Sequence, residues 1–573
     1  MRPEVDMMIT EAPIRKIDIT RAPPVNINGN GEPTLGAGGV EIALASLSIE
    51  DALQNGNGSP NATIALNGMK ETKPPYWEQH SFDMQDVQGL DVDAEIQHEL
   101  LKNNIGKEKY EQFRRFSVVL WWIHHGMEDK LDIDVRELGL DKTFYEDYAG
   151  YRRANTSTAF FGAYKWDNSA NPEIQQEPAI APEFIEKLRA AETITIHDGY
   201  YLARVAHILR NSNEIQYQGD IVLVNHIPFP RPEHFQMLRK VVPNHDVEAS
   251  IDGTKLEEAK WRRVARTYLQ GWLAADRISF HTQKDADNFR DCIAEYLQDV
   301  IDCGTETMPD LIVNPLGTDI DSVERVASET TEGDKQRLLE KVVKYAEYLD
   351  DPSQLNGLMI GVDIGTRSDP IKRIPQKFEF IEYALDHGTD EERAALIGNL
   401  TIVQQVRPHR LDDYASYAHE MKQIRETAQR INAKYAYKGW QPIILVEEGL
   451  PHQDVLGIHK ALAEKAYRYF SYILSREGMS LCAQEALVAA GRPDTASIIS
   501  TDCGFGETLA KYGCTTPIHG TPTSEAVKDR ILYIASASDE QLRQDYCQTE
   551  AVLQDIQLSK WANKLMHTIN GYH

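Results

Sequence analysis

Cysteine and long apolar runs are scarce in this sequence. Its 573 residues include six cysteines, none in a Cys-x-x-Cys pair, and no secretory apolar segment stands at the start. We therefore expect reduced thiols and a cytoplasmic protein. The longest apolar candidate, FSVVLWWI at 116–123, is far shorter than the ~18 residues that span a membrane, so no membrane partner is expected.

Basic residues are outnumbered, and several familiar motifs are missing. The 60 Lys and Arg against 88 Asp and Glu give a formal net charge of −28, which argues against nucleic acid as a partner. No GxxxxGK[ST] or GxSxG motif is present, which excludes the signatures of P-loop proteins and α/β-hydrolases. His124-His125 and the scattered cysteines lack ligand spacing, so we predict no metal and no cofactor.

Short β-branched runs alternate with helical patterns from about residue 95 onward, a pattern typical of parallel sheets with helices on both faces. Two such series flank a turn-rich segment, DDPSQLNG at 350–357. We predict an α/β fold with domains at 1–350 and 351–550, then a C-terminal helix at 551–573 that crosses back to the first domain. Asn- and Gly-rich pieces at 26–39 and 55–63 are interpreted as loops.

Polar residues follow many of the predicted strands. Ligands of open parallel sheets bind outside the carboxyl ends of the strands, and with two sheets the natural place is the cleft between them. Any one such residue is more often a cap or a turn residue, but eight at one cleft indicate a binding site. The eight are Arg21, His197, Asp198, His226, Arg367, Arg407, Arg410 and Glu477.

Four cations follow the strand LMIGVDI (358–364): Arg367, Lys372, Arg373 and Lys377. A guanidinium binds phosphate through two parallel hydrogen bonds and an ammonium adds a point charge, so Arg367 with Lys372 suits a diphosphate. A solvated basic turn explains this piece equally well by itself. In SREGMSLCAQEAL (475–487), Gly478 permits close backbone approach, and the following helix can present its N-terminal amides to an anion.

Taken in order, the motifs resemble the trehalose-6-phosphate synthase family, the family-20 retaining glycosyltransferases of GT-B fold. Two Rossmann-like domains face a cleft in that fold. HIPFP (226–230) and FHTQ (280–283) are the specific matches. The others gain weight from their order: IDITRAPP (17–24), GAGGV (36–40), HDGYYL (197–202), VNPLGTDID (313–321), RSDPIK (367–372) and REGMSLCAQEAL (476–487).

The resemblance implies transfer of a sugar from a nucleotide-diphosphate sugar to a phosphorylated sugar or polyol. The acceptor, bound by the first domain, attacks on the face from which the diphosphate leaves, without a metal. The implied catalytic residues are Asp198 and His226 at the sugar hydroxyls and Arg367 and Lys372 at the diphosphate. Further donor-binding residues are Gly39, Glu477, Gly478, Met479, Ser480, Leu481 and Glu485, mostly in the second domain. The acceptor-binding residues are Arg21, Tyr110, Trp121, Asp198 and Arg410.

The sequence departs from the family at the predicted site. Glu477 stands where the family has Asp, Ser480 replaces Asn, Gly199-Tyr200-Tyr201 replaces Tyr-His, and 364–366 has no counterpart. Such changes usually alter specificity rather than abolish function. Two alternatives stay open: a pseudo-glycosyltransferase coupling a nucleotide-activated cyclitol to a phosphorylated aminocyclitol, and a catalytically silent regulatory subunit that binds sugar phosphates. A homo-oligomer is also compatible with the sequence.

Overall fold

Two β-sheets, formed by successive parts of the chain, organise the structure. The computed structural model describes residues 16–20, 25–27, 33–35, 61–65, 80–83, 95–102, 107–154, 182–197, 199–213, 215–242, 260–412 and 414–569. The described strands of the first half are β1 (Lys16–Thr20), β2 (Val25–Ile27), β3 (Pro33–Leu35), β4 (Asn61–Ala65), β5 (His80–Asp83), β6 (Glu95–Lys102), β7 (Thr193–His197), β8 (Asp220–Val224), β9 (Arg277–Phe280) and β10 (Asp310–Val313).

The first sheet has the strand order β10-β9-β8-β7-β1-β4-β6-β5, and all its pairs are parallel except β5 with β6. The strands β2 and β3 form a separate antiparallel pair. The second sheet is wholly parallel, with the order β13-β12-β11-β14-β15. Its strands are β11 (Met359–Asp363), β12 (Leu400–Gln405), β13 (Ile443–Val446), β14 (Arg468–Ile473) and β15 (Ala496–Ile499).

Helices cover both faces of the second sheet. Neighbouring strand residues point to opposite faces, and here Val403 and Tyr469 pack in one apolar cluster while Ile402 and Phe470 pack in another. The described helices are α1 (Lys107–His125), α2 (Glu128–Leu138), α3 (Leu140–Ala154), α4 (Pro182–Ala190), α5 (Gly199–Asn211), α6 (Lys260–Leu273), α7 (Gln283–Asp302), α8 (Ile320–Glu329), α9 (Glu332–Val343), α10 (Ile374–Asp386), α11 (Asp390–Leu396), α12 (Ala415–Tyr435), α13 (His452–Lys465), α14 (Leu481–Ala490), α15 (Gly504–Lys511), α16 (Ser524–Ser536), α17 (Asp539–Ile556) and α18 (Leu558–Ile569). The predicted α/β fold with two parallel sheets is confirmed.

The last helix, α18, lies against the end of the first sheet. The Asn314 amide donates to the carbonyl of Trp561 (3.0 Å), and the Lys564 ammonium donates to the carbonyl of Val313 (2.7 Å). The proposed domain bounds at 350 and 550 stay a prediction. None of the described helices is long and apolar enough to cross a membrane.

The interpretation of the Asn- and Gly-rich pieces as loops is wrong in part. Strands β2 and β3 lie within 25–35, and β4 begins at Asn61, between β1 and β6 in the first sheet. Strand propensity depends strongly on neighbouring strands, and NATIA has little strand character of its own. Pairing with two neighbours, rather than local composition, therefore makes this segment a strand.

Candidate active site

Two arginines stand side by side where β11 and β12 end. Arg367 and Arg407 form an isolated parallel bridge, in which the amide of Ser368 donates to the carbonyl of Arg407 (2.9 Å). Both arginines are exposed. The segment 364–366, which has no counterpart in the family motif, is anchored here. The amides of Gly365 and Thr366 both donate to Gln405 Oε1 at the end of β12 (2.8 and 3.1 Å). The segment thus shapes the edge from which Arg367 extends.

A buried carboxylate, Asp369, lies near enough to three of the predicted cations for their charges to act on it. It begins the short 3₁₀ helix Pro370–Lys372 and accepts the amide of Ile371. Burial raises the pKa of Asp369, and the charges of Arg367, Arg410 and Lys372 oppose that rise. Asp369 is not among the predicted site residues, although it lies between Arg367 and Lys372. The structure brings the predicted diphosphate cations and Arg410 to one place.

Lys372 is not free to meet an anion. Its ammonium forms an ion pair with Glu477, and only 12% and 14% of the two side chains are exposed. Burial opposes the charge on Glu477, but Lys372 and a hydrogen bond from Ser475 prevail and lower the pKa of Glu477 to about 2. The same carboxylate raises the pKa of Lys372 against the effect of burial. The charge of Lys372, which is predicted to bind the diphosphate, is therefore already neutralised by Glu477.

Two of the other cations after β11 are also paired. Arg373 contacts Asp502 (3.0 Å), and the fully buried Lys377 pairs with Asp363. The grouping of four cations after β11 thus overstates the charge available to a ligand. Arg367 remains the exposed member of the four.

The loop that carries Glu477 touches the first half of the chain. A β carbon at Gly478 would collide with the backbone carbonyl of His226, so only glycine permits this approach. The His226 ring is buried, and its Nε2 lies 3.1 Å from His197 Nδ1. Burial and then the nearby His281 and His197 lower the pKa of His226, so the ring is neutral. Its Nδ1 has no hydrogen-bond partner among the described residues.

Helix α14 continues from this loop. Ser480 precedes it in the left-handed conformation (φ 45°), Met479 is buried in an apolar cluster, and Leu481 packs against that cluster. Glu485 is buried, and its Oε1 lies 2.9 Å from His452 Nε2. That hydrogen bond raises the pKa of His452. Nothing in the sequence pointed to His452, which lies 33 residues from Glu485.

Two of the predicted acceptor residues are described in full. Trp121 on α1 is half-buried, with its ring 4.2 Å from that of His125 and 5.6 Å from that of Tyr200. Its indole Nε1 is buried and has no partner among the described residues. Arg410 has a left-handed backbone (φ 52°), and its guanidinium lies 6.0 Å from the ring of Tyr414.

Four predicted site residues lie wholly or partly outside the part of the chain that the structure describes. Arg21, Gly39 and Asp198 are not among the described residues, and neither is the side chain of Tyr110, whose backbone lies in α1. The roles of these four in donor and acceptor binding stay predictions.

The family of the chain follows from comparison with known proteins. A sequence model of glycosyltransferase family 20 matches residues 263–571. The chain belongs to glycosyltransferase family 20. This membership confirms the predicted enzyme class. The matched range contains Arg367, Lys372, Glu477 and Glu485, whereas His226 precedes it.

Individual relatives are distant. The alpha,alpha-trehalose-phosphate synthase (UDP-forming) of Candida albicans is 23% identical over 381 residues, which are 64% of this chain and 67% of the relative. Enzyme A of the same description from Dictyostelium discoideum is 23% identical over 533 residues, 90% of this chain and 58% of the relative. The chain therefore spans between half and about two thirds of these relatives.

The fold is shared with solved trehalose-phosphate synthases. The enzyme of Burkholderia xenovorans in complex with glucose-6-phosphate has a TM-score of 0.64 at 18% identity, over 97% of this chain and all of the other. This likeness confirms the predicted GT-B fold.

Proposed function

We propose that the chain is a retaining glycosyltransferase that moves glucose from a nucleoside-diphosphate glucose to a phosphorylated acceptor. UDP-glucose and glucose 6-phosphate are the first candidates, because relatives are described as UDP-forming and a structural neighbour binds glucose-6-phosphate. The observation that carries the proposal is the convergence of Arg367, Arg410 and Lys372 on Asp369. Three cations near enough to one carboxylate for their charges to act on it suit a ligand with more than one phosphate.

In the proposed reaction, the bond between the sugar and the diphosphate breaks while the acceptor hydroxyl bonds to the same face of the sugar. The hydroxyl proton passes to the leaving phosphate oxygen. Arg367 and Lys372 stabilise the charge that develops on the diphosphate, which makes a metal unnecessary. Closure of the two domains excludes water and aligns the substrates.

The neutral groups of the cleft orient the sugars. The unpartnered Nδ1 of His226 is available to a donor hydroxyl, and the unpartnered indole Nε1 of Trp121 can donate to the acceptor. Arg410, with Arg21 from the other domain, binds the acceptor phosphate in this proposal. The six cysteines are all unpaired, which supports a reducing, cytoplasmic setting.

A panel of nucleotide sugars and acceptors, phosphorylated and not, read by mass spectrometry, tests the proposal. Arg367→Ala and Lys372→Ala should each lower turnover by orders of magnitude while the protein stays folded. Arg543→Ala is the matched control, since its side chain is half-exposed on α17. Near-normal turnover in both cleft variants would refute the assignment.

One observation favours a second function, the silent sugar-phosphate-binding subunit. Lys372 is already neutralised by Glu477, so a donor must displace that carboxylate. This alternative predicts that glucose 6-phosphate binds while no donor of the panel gives a product.

A further inference from the structure

Helix α2 buries two charged residues, Lys130 and Asp134. They stand four positions apart, so both point to the same side of the helix. Asp134 is completely buried and Lys130 almost so. Buried charges are costly unless they are paired and hydrogen-bonded. The partners of these two residues come from a distant part of the chain.

The partners lie on α12, which follows the second strand of the second sheet. Ser416 and Glu420, again four positions apart, are both buried. The Lys130 ammonium lies 2.7 Å from a Glu420 oxygen, and Asp134 accepts hydrogen bonds from Ser416. These contacts, which we call the polar seam, join residues 282 and 290 positions apart. The seam therefore links the helices of the two predicted domains.

Asp134 caps α12 from outside that helix. The first amides of a helix lack intrahelical partners and are usually satisfied by the side chain of the N-cap residue. The N-cap here is Tyr414, which makes no such hydrogen bond. Asp134 Oδ1 instead accepts the amide of Ser416 (2.8 Å), and Oδ2 accepts the Ser416 hydroxyl (2.7 Å). The negative charge also suits the positive end of the helix dipole.

The same carboxylate reaches the segments that bear two predicted acceptor residues. Asp134 Oδ2 accepts a hydrogen bond from the indole Nε1 of Trp122 (2.8 Å), the neighbour of Trp121. On the other side, the amide of Tyr414, two residues before the capped amide of Ser416, donates to the carbonyl of Arg410 (3.2 Å). One side chain thus connects the backbone positions of Trp121 and Arg410.

We propose that Asp134 is a positioning residue: by capping α12 across the predicted domain boundary, it fixes Arg410 relative to Trp121 and so sets the acceptor site. This inference rests on the proposed function of those two residues. Apolar surfaces tolerate sliding, whereas the two directed hydrogen bonds from Ser416 to one carboxylate are satisfied in a single register. The seam therefore defines how the two domains meet on the acceptor side.

The test uses the full-length protein and Asp134→Asn, with Asp132→Asn as the matched control. Asp132 lies on the same helix but is exposed, paired with Lys240. Hydrogen exchange at 410–420 should speed up about 5- to 10-fold in Asp134→Asn, because only one of the two side-chain oxygens that accept from Ser416 and Trp122 is kept. Exchange at 425–435 and in the control should stay unchanged. Ser416→Ala replaces Asp134→Asn in this test if the latter folds poorly. It keeps the capped amide and loses only the hydroxyl bond, so hydrogen exchange at 410–420 should speed up less.

Calorimetry and kinetics supply the readout that a merely structural role would not move. The Kd of glucose 6-phosphate, and the acceptor KM, should rise about 5- to 10-fold in Asp134→Asn, with donor KM and kcat near wild type. Unchanged exchange at 410–420, faster exchange with unchanged Kd, or no binding of glucose 6-phosphate to the wild type would each overturn the proposal. Binding without turnover would refute the proposed reaction alone, and Kd would still decide the role of Asp134.

Discussion

Removing the charge of Glu477 should strengthen nucleotide binding while it destabilises the protein. Glu477 forms an ion pair with the Lys372 ammonium, which is predicted to bind the donor diphosphate. The diphosphate must replace this carboxylate to reach Lys372. Glu477→Gln keeps the shape of the side chain and removes its charge, so it separates competition for Lys372 from packing.

The size of the effect follows from the burial of the pair. With 12% and 14% of the side chains exposed, solvent weakens the interaction far less than at the surface. A hydrogen-bonded charge pair contributes about 1.5–3 kcal/mol, and each 1.4 kcal/mol changes an affinity tenfold. If the diphosphate takes over Lys372, UDP should bind Glu477→Gln about 10- to 100-fold more tightly.

Stability should move the opposite way and depend on pH. The carboxyl of Glu477 has its pKa lowered from 4.5 to about 2, so its stabilising effect is complete above 4.5 and is lost as pH falls toward 2. At pH 7, urea unfolding should therefore show a lower free energy for Glu477→Gln than for wild type. The difference should shrink in acid below pH 4.5.

Calorimetry with UDP, rather than a UDP sugar, is the suitable assay, because Glu477 is also predicted to contact the sugar. Glu464→Gln is the control. It removes a carboxylate of helix α13 that lies 2.8 Å from Lys335, and it should leave UDP affinity unchanged. Weaker or unchanged UDP binding in Glu477→Gln would refute competition for Lys372. The UDP affinity of Glu477→Asp, which has the residue usual in the family, should fall between those of wild type and Glu477→Gln.

Three further changes have expected outcomes. Gly478→Ala places a methyl group against a backbone carbonyl and should lower the free energy of unfolding by about 1–3 kcal/mol in urea. Gly333→Ala, whose β carbon would meet only the Thr331 hydroxyl at 3.8 Å, should not. Arg410→Ala should raise the KM of a phosphorylated acceptor and leave that of its dephosphorylated form unchanged; equal effects on both would contradict phosphate binding. The pKa of His452 is raised by its hydrogen bond to Glu485, so the bond weakens as pH rises through the pKa of His452. Glu485, a predicted donor-binding residue, is then released, so UDP affinity should increase with pH in wild type and be independent of pH in His452→Ala.

The sequence predicted the fold well where a strand carries its own signal. The runs at 193–198 and 358–364 are rich in β-branched residues and the run at 468–474 is rich in aromatic ones, and each contains an observed strand that is fully buried. Strand β4 (NATIA) carries a weaker signal, with only Thr63 and Ile64 β-branched, and it pairs with both β1 and β6. A local sequence pattern predicts strands that contain a strongly apolar run, and it misses strands whose formation depends on pairing with neighbouring strands.

The sequence predicts where the candidate site lies, but not which of its charged side chains are paired with each other. Strand ends identified Arg367 and His226, since parallel strands present their carboxyl ends on one edge. The pairing of Lys372 with Glu477 and the cap that Asp134 gives to α12 join residues 105 and 282 positions apart. Such contacts depend on how the elements pack, which spacing along the chain does not encode.

The pairing pattern explains how an acidic chain can hold an anion site. Of the four cations that follow β11, three are matched by carboxylates from other segments: Lys372 by Glu477, Arg373 by Asp502 and Lys377 by Asp363. Each matched pair is nearly neutral beyond a few ångström, so the field of the site comes mainly from the exposed Arg367 and Arg407 at the ends of β11 and β12. Because those arginines are exposed, salt should weaken initial anion capture, whereas the buried exchange at Lys372 should be far less sensitive. Selectivity for a diphosphate over a single phosphate then depends on that exchange, since only a ligand that reaches past Arg367 can replace the carboxylate at Lys372.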